Sequence, residues 1–265
     1  MMGDITLGQY VYADSPVHKL DPRSKILLTI GLMVVIFLTK TLVGYAILAA
    51  FLLGAILLSR VPFKMVLRSL KPLVTIIVIT FFINLLFVRT GNVLFEWWIL
   101  MITDGGIRQA VNMALRILFL VASSSLLTLT TTPMALTDGI EKLLSPLKIV
   151  RFPAHELAMM MTIALRMIPT LLDEANKIMK AQMARGADFE SGNIIKRAKA
   201  MIPVLVPLFV SAFRRADELA MAMESRCYHG GEGRTKMKVW RFHWADLFAL
   251  LAVLALLGLI LLWGR

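Results

Sequence analysis

The sequence predicts an all-α integral membrane protein with about five transmembrane helices and additional cytoplasmic amphipathic helices. Three observations carry this expectation. The 265 residues are 58% hydrophobic, with a mean hydropathy of +0.75, which suits a chain whose solvent is largely lipid. Several apolar runs reach the ~20 residues that a helix needs to cross a hydrocarbon core about 30 Å thick. Between them lies a polar stretch that keeps the spacing of amphipathic helices and has few turn residues.

Residues 26–59 are apolar except for Lys40 near the middle. The run is too long for one span, so it divides into two short helices turning at Thr39-Lys40-Thr41, the first of them under-length and dependent on its neighbours. A third span covers residues 72–88, with Asn84 its one strongly polar residue. Trp97-Trp98 then reads as an interfacial anchor, since indole rings favour headgroup depth. The fourth span, residues 107–130, contains Arg116, a charge that is costly against lipid and so should face protein or reach for the interface. The last, residues 247–263, is unbroken by charge and lies between Trp244 and Trp263.

From Pro133 to Arg241 the composition changes, and this stretch holds most of the charged side chains of the chain. Thr132-Pro133 fits an N-cap and first helical position for a short helix ending near Ser145-Pro146. Two longer helices follow, at about 154–184 and 194–226, kinked or broken at Pro169 and at Pro203 and Pro207. The resulting division is 1–24 as an N-terminal cytoplasmic segment, 25–131 as four spans, 132–243 as the cytoplasmic helical region and 244–265 as the final span.

Loop charges set the expected orientation. Lys19, Arg23 and Lys25 precede the first span, and Arg60, Lys64, Arg68 and Lys71 join the second to the third, whereas the opposite side carries mainly Lys40 and Arg89. The N terminus and the polar helical region are thus expected in the cytoplasm. The excess of 29 Lys+Arg over 17 Asp+Glu reports loops and anionic lipid in a membrane protein, not nucleic acid, because no basic run is interleaved with aromatics. The first twenty residues lack the apolar core of a signal peptide, and Met1 before Met2-Gly3 argues against myristoylation. Cys227 is the only cysteine, so no disulfide within the chain is expected.

The residues offer little for catalysis. His18, His155, His229 and His243 are scattered, with no pair at ligand spacing, and read as structural or interfacial. Gly230 to Lys236 lacks the spacing of a phosphate loop and follows no strand. Ser123-Ser124-Ser125 has no acid or histidine beside it and suits helix packing. Asp138-Gly139 lacks the further acids that would hold metal ions. No metal site, catalytic residue or cofactor is expected, and any transport must draw its energy from another chain.

The two long helices of the polar region end alike. One closes with Asp173-Glu174 and then Gln182-Met183-Ala184-Arg185-Gly186, the other with Asp217-Glu218 and then Met223-Glu224-Ser225-Arg226-Cys227. Two readings of Arg185 and Arg226 stand on these residues. The arginines complement the helix dipole, with Gly186 as a C-terminal cap, or each presents a guanidinium fork between small neighbours that pairs with carboxylates of a partner. Methionines crowd the same helices at Met159, Met160, Met161, Met167 and Met201, as core filling or as a surface able to repack against different partners.

Thr131-Thr132-Pro133, Leu143-Leu144-Ser145-Pro146-Leu147, Ala164-Leu165-Arg166-Met167-Ile168-Pro169 and Ala181-Gln182-Met183-Ala184-Arg185-Gly186 together resemble the T component of energy-coupling factor (ECF) transporters, EcfT, over essentially the whole chain. The resemblance implies that Ala184-Arg185-Gly186 and Ser225-Arg226-Cys227 end two coupling helices that bind two ABC-type ATPase subunits, with ATP held by those partners. The second motif keeps only the arginine and small neighbours. It also implies a platform for interchangeable membrane-embedded substrate-binding S components, for which Met159, Met160, Met161, Met167 and Met201 are the expected surface, serving uptake of a vitamin or other micronutrient. A T subunit dedicated to cobalt, nickel or biotin is the neighbouring alternative. A self-sufficient secondary transporter or channel would need converging polar groups at mid-membrane, where only Asn84 and Arg116 are candidates.

Overall fold

A computed structural model describes residues 10–97, 100–150, 152–189, 191, 193–230, 240 and 242–263. They divide into two compact units, one within Gly8–Gly139 and Lys238–Arg265, the other within Ile140–Met237.

In the first unit, Ser15 caps the short helix α1 (Pro16–Lys19). The α2 helix (Pro22–Leu38) starts with proline at its first position and Asp21 accepting from the Arg23 N–H at 2.9 Å. The turn falls at residues 39–41, and Thr41 caps α3 (Leu42–Ser59) through the Gly44 N–H at 3.2 Å. Arg60, at φ +56, ends α3. The basic stretch after it is not a plain loop: Lys64 and Arg68 lie on a short helix, α4 (Phe63–Leu70), which a 3₁₀ turn at Lys71–Leu73 joins to α5 (Val74–Phe87). An antiparallel hairpin, β1 (Val93–Trp97) with β2 (Leu100–Thr103), then precedes α6 (Asp104–Thr130). The hairpin is absent from the sequence-based expectation; its first strand is five residues long, too short for periodicity to separate from a helix end. Trp97 lies in β1, while Trp98 lies outside the described residues. The last element of this unit is α10 (Trp244–Trp263), with Trp244 and Trp263 exposed at its two ends.

Among the described residues, four helical stretches are long and apolar enough to cross a membrane: Leu42–Ser59, Phe63–Phe87, Asp104–Thr130 and Trp244–Trp263. The 17 residues of α2 stand at the lower limit of span length. It is also deeply embedded. Leu32, Val35 and Ile36 of α2 form one core with Tyr45, Leu48 and Leu52 of α3, Phe119 of α6 and Val253, Leu256 and Ile260 of α10, and the Tyr45 and Phe119 rings stack at 6.1 Å. Conversely α5 buries no residue, and Ile76, Ile79, Phe82 and Ile83 are exposed, as a lipid-facing helix requires. The protein is therefore an all-α membrane protein with one small hairpin among its described residues.

Hydrocarbon gives helices no hydrophobic reason to associate, so packing and polar contacts must hold them together. Asp246, 3% exposed, accepts from the Asp21 N–H and from the His243 N–H, each at 2.9 Å, tying the start of α10 to the cap of α2. Lys25, expected as a loop-side charge, is instead buried and donates to the carbonyls of His18 (3.1 Å) and Thr130 (2.9 Å). Arg116 faces protein, as its cost against lipid demands: it lies over the Phe37 ring at 5.7 Å and reaches the Thr39 carbonyl at 3.4 Å. Asn84 satisfies its amide on the Thr80 carbonyl of its own helix. Ser123 and Ser125 are buried packing positions.

The α7 helix (Pro133–Leu144) begins as Thr132-Pro133 predicts, with the Thr132 hydroxyl accepting from the Ala135 N–H at 3.3 Å, and a 3₁₀ segment, Ser145–Val150, follows it. The second unit is built on α8 (Ala154–Ala184) and α9 (Ile194–Glu224). Both run 31 residues and carry Pro169, Pro203 and Pro207 inside without breaking. Long helices absorb a proline by a local kink at the lost hydrogen bond, so of the two expectations, kinked or broken, the break does not occur.

Candidate functional site

The α8 and α9 helices pack as an antiparallel pair. Ile163, Met167 and Leu171 of α8, at successive intervals of four, line a groove of about 310 Å³ with Ala212, Ala216 and Ala220 of α9; small residues on one helix let the larger side chains of the other approach. A polar clamp sets the register: Glu174 accepts from the Ser211 hydroxyl and, at 3.0 Å, from Arg215 Nη2. The Ser211 hydroxyl first, and then Arg215, hold the Glu174 carboxyl below its ordinary value.

Both helix tips are closed by the same hydrogen-bond pattern. At the end of α8 the Gly186 N–H reaches the Met183 carbonyl and the Ala187 N–H reaches the Gln182 carbonyl, each at 3.0 Å, with Gly186 at φ +88. This is the 5→2 and 6→1 pair of a Schellman cap with a left-handed residue. At the end of α9 the Cys227 N–H reaches Glu224 O at 2.8 Å and the Tyr228 N–H reaches Met223 O at 3.1 Å, with Cys227 at φ +54. The second tip repeats the first with cysteine in the glycine place. Arg185 and Arg226 thus occupy equivalent positions, each immediately before the left-handed residue. Both are exposed, and neither enters an ion pair among the described residues. Ala184 and Ser225 are exposed as well.

The tips lie at opposite ends of the pair. Arg226 borders a cavity of about 480 Å³ with Met159 and Ile163, near the start of α8, whereas Arg185 lies beyond Glu174 at the far end of the same helix. A rise of about 1.5 Å per residue puts Arg185 about 16 Å past Glu174 and Arg226 about 22 Å past Ser211, in opposing directions.

The five methionines are distributed over several surroundings. Met159 lines the cavity beside Arg226 and Met167 lines the α8 to α9 groove; Met160 and Met161 are exposed, and Met201 is half-buried on α9. A larger apolar surface went unread in the sequence. Ile202, Leu205, Val206, Phe209, Val210 and Phe213 are all exposed along α9, at the i, i+3, i+4, i+7 spacing of a single helix face. That spacing was legible, but Pro203 and Pro207 within it suggested a kink or a break.

His155 pairs with Glu141 at 3.1 Å, and His18 lies between the Ser15 hydroxyl (2.7 Å) and the Val11 carbonyl (2.9 Å), so these two histidines are structural. Among the described residues no group of three or more His, Cys, Asp or Glu could hold a metal ion. The turn from Gly231 to Lys236 lies outside the described residues.

Comparison with known proteins decides the lineage of this arrangement. The CbiQ family, described as cobalt transport protein, matches residues 13–237. The energy-coupling factor transporter transmembrane protein EcfT of Thermosediminibacter oceani is 57% identical over 251 residues, 95% of this chain and 94% of that protein. The chain belongs to the EcfT family. The EcfT proteins of Ruminiclostridium cellulolyticum and Bacillus subtilis are 57% identical over 242 residues and 48% identical over 259 residues, covering 91% and 97% of this chain and 90% and 98% of their own lengths. As an EcfT, the chain is a multi-pass transmembrane component of an ECF transporter, and the two matching helix tips belong to a transport subunit.

Proposed function

We propose that this EcfT couples two ABC-type ATPase subunits to a membrane-embedded S component, with the N terminus and the 132–243 region on the cytoplasmic side. The carrying observation is the pair of equivalent tips, Ala184-Arg185-Gly186 and Ser225-Arg226-Cys227, each offering an exposed arginine without an acidic partner among the described residues. A planar guanidinium fork matches a carboxylate pair bidentately. Two tips at opposite ends of an antiparallel helix pair fit two partner sites better than one. Movement of the ATPase subunits on ATP binding and hydrolysis displaces α8 and α9 together, because the Glu174 clamp resists their sliding.

The exposed α9 face from Ile202 to Phe213, with Met160 and Met161 of α8, is the surface we assign to the S component, whose reorientation releases a vitamin or other micronutrient inward. ATP is bound by the partners, and this chain contributes no catalytic group or cofactor. Lys19, Arg23, Lys64 and Arg68 support the assigned orientation. The test is co-purification. Arg185→Glu with Arg226→Glu should leave the chain inserted in the membrane but lose the ATPase subunits and uptake together, and each single change should weaken both. Retention of the ATPase subunits and of uptake by the double variant would refute the docking role.

A further inference from the structure

At the opposite end of the spans from Asp246 there is a cationic pocket that the coupling role leaves unused. Its volume is about 390 Å³, and its walls include Lys40 from the α2 to α3 turn and Arg108, Asn112 and Arg116 from α6. The three α6 residues stand at i, i+4 and i+8, one ladder on one helix face. Among the described residues no acidic side chain lines the pocket, and none of the ion pairs uses Lys40, Arg108 or Arg116.

The Arg116 guanidinium is under-used. Its Nε is buried without a hydrogen-bond partner, its Nη2 contact to Thr39 O is long at 3.4 Å, and its Nη1 has only the Met113 sulfur at 4.0 Å. Three cations around one cavity, one of them with a buried and unpartnered Nε, make it a favourable place for an anion. The level of the pocket says which. Asn112 donates to the Lys40 carbonyl and Thr41 to the Trp263 carbonyl, so the pocket lies at the helix ends where Phe37, Phe87 and Trp263 are exposed. Of these, Trp263 is the one whose amphipathic ring favours headgroup depth.

We propose that Lys40, Arg108 and Arg116 form a binding site for a phosphate-class anion, occupied by the headgroup of an anionic phospholipid. The phosphate receives the free donors of Arg116 and Arg108, and Lys40 adds charge from the turn. Binding there would brace the α2 to α3 turn against the start of α6. The inference rests on the membrane setting alone and not on the coupling role.

The full chain, purified in mild detergent, is tested by native mass spectrometry with phosphatidylglycerol, phosphatidylcholine and, separately, inorganic phosphate. Wild type should retain one phosphatidylglycerol in preference to phosphatidylcholine. Lys40→Gln with Arg108→Gln, both at exposed positions, should reduce that retention at least about fivefold, the effect of about one surface cation on anionic lipid. Lys64→Gln with Arg68→Gln removes the same charge from α4 and should leave retention unchanged. Equal retention of the two lipids, or equal loss in the α4 variant, would overturn the proposal. So would saturable stabilisation by inorganic phosphate with no lipid adduct, which would make the ligand a free anion. Absence of either ligand, with Arg108 shielded by an associated chain, would assign the pocket to a protein carboxylate and overturn it equally.

Discussion

Gly186→Ala isolates what the tip of α8 demands of its backbone. A Cβ at Gly186 meets nothing within 4 Å, so the substitution introduces no clash, and its effect on the folded tip arises from φ +88. Holding an L-residue in the left-handed region costs about 1–2 kcal/mol. Two hydrogen bonds depend on that conformation, from the Gly186 and Ala187 amides to Met183 and Gln182. The lesser freedom of alanine in the opened chain offsets about 0.4–1 kcal/mol of this, so local opening should become easier by the remainder, and hydrogen exchange at those two amides should accelerate a few-fold, up to about 15-fold, with the rest of α8 unaffected. Cys227→Gly runs the other way. It relieves the strain at φ +54, and the greater freedom of glycine in the opened chain returns about 0.4–1 kcal/mol of that gain. Exchange at Cys227 and Tyr228 should slow a few-fold, with docking retained, because Arg226 keeps its place. Hydrogen-exchange mass spectrometry on the full chain reads both variants. Unchanged exchange in Gly186→Ala together with faster exchange in Cys227→Gly would refute the equivalence of the two tips.

Asp246→Ala strands the Asp21 and His243 amides and should destabilise the first unit by about 2–4 kcal/mol, read as thermal unfolding in detergent, with Asp246→Asn losing less because one oxygen still accepts; equal loss in both would argue against the carboxylate as the tie. Burial chiefly, with Lys25 adding to it and the Val11 carbonyl opposing, lowers the His18 pKa below its ordinary 6.5. The fold therefore favours the neutral ring: its contribution is complete above 6.5 and lost as the pH falls through the depressed value, an acid sensitivity that His18→Asn should remove from the melting profile. For Glu174, whose carboxyl is held below 4.5 by Ser211 and Arg215, the stabilisation of the α8 to α9 register is present above 4.5 and disappears as the pH falls through the lowered value. Glu174→Gln should weaken coupling between ATPase activity and uptake at neutral pH while leaving ATPase binding in place; loss of the ATPase subunits would instead make Glu174 part of the docking surface.

Much of this protein was legible without coordinates, because a bilayer restricts the chain to a few solutions. Lipid cannot satisfy a bare backbone, so apolar runs of sufficient length must be helices, and the turn at 39–41, the start of α7 at Thr132-Pro133 and the extents of α8 and α10 follow from local residues. The recurrence of arginine between small residues likewise stood in the sequence. Other features depended on residues far apart in the chain. Lys25 reads as a loop cation until the carbonyls of His18 and Thr130 are found around it, and Pro203 and Pro207 read as kinks or breaks until α9 is seen to continue through them. Nothing local reveals that Cys227 takes the left-handed conformation of Gly186, since cysteine has no preference for it; only the cap hydrogen bonds to Met223 and Glu224 make the two tips the same object. Patterning selects helices and their lengths, because it acts through each residue's own preference and solvent. Tertiary structure decides which polar groups are paired, because a hydrogen bond needs both partners in place.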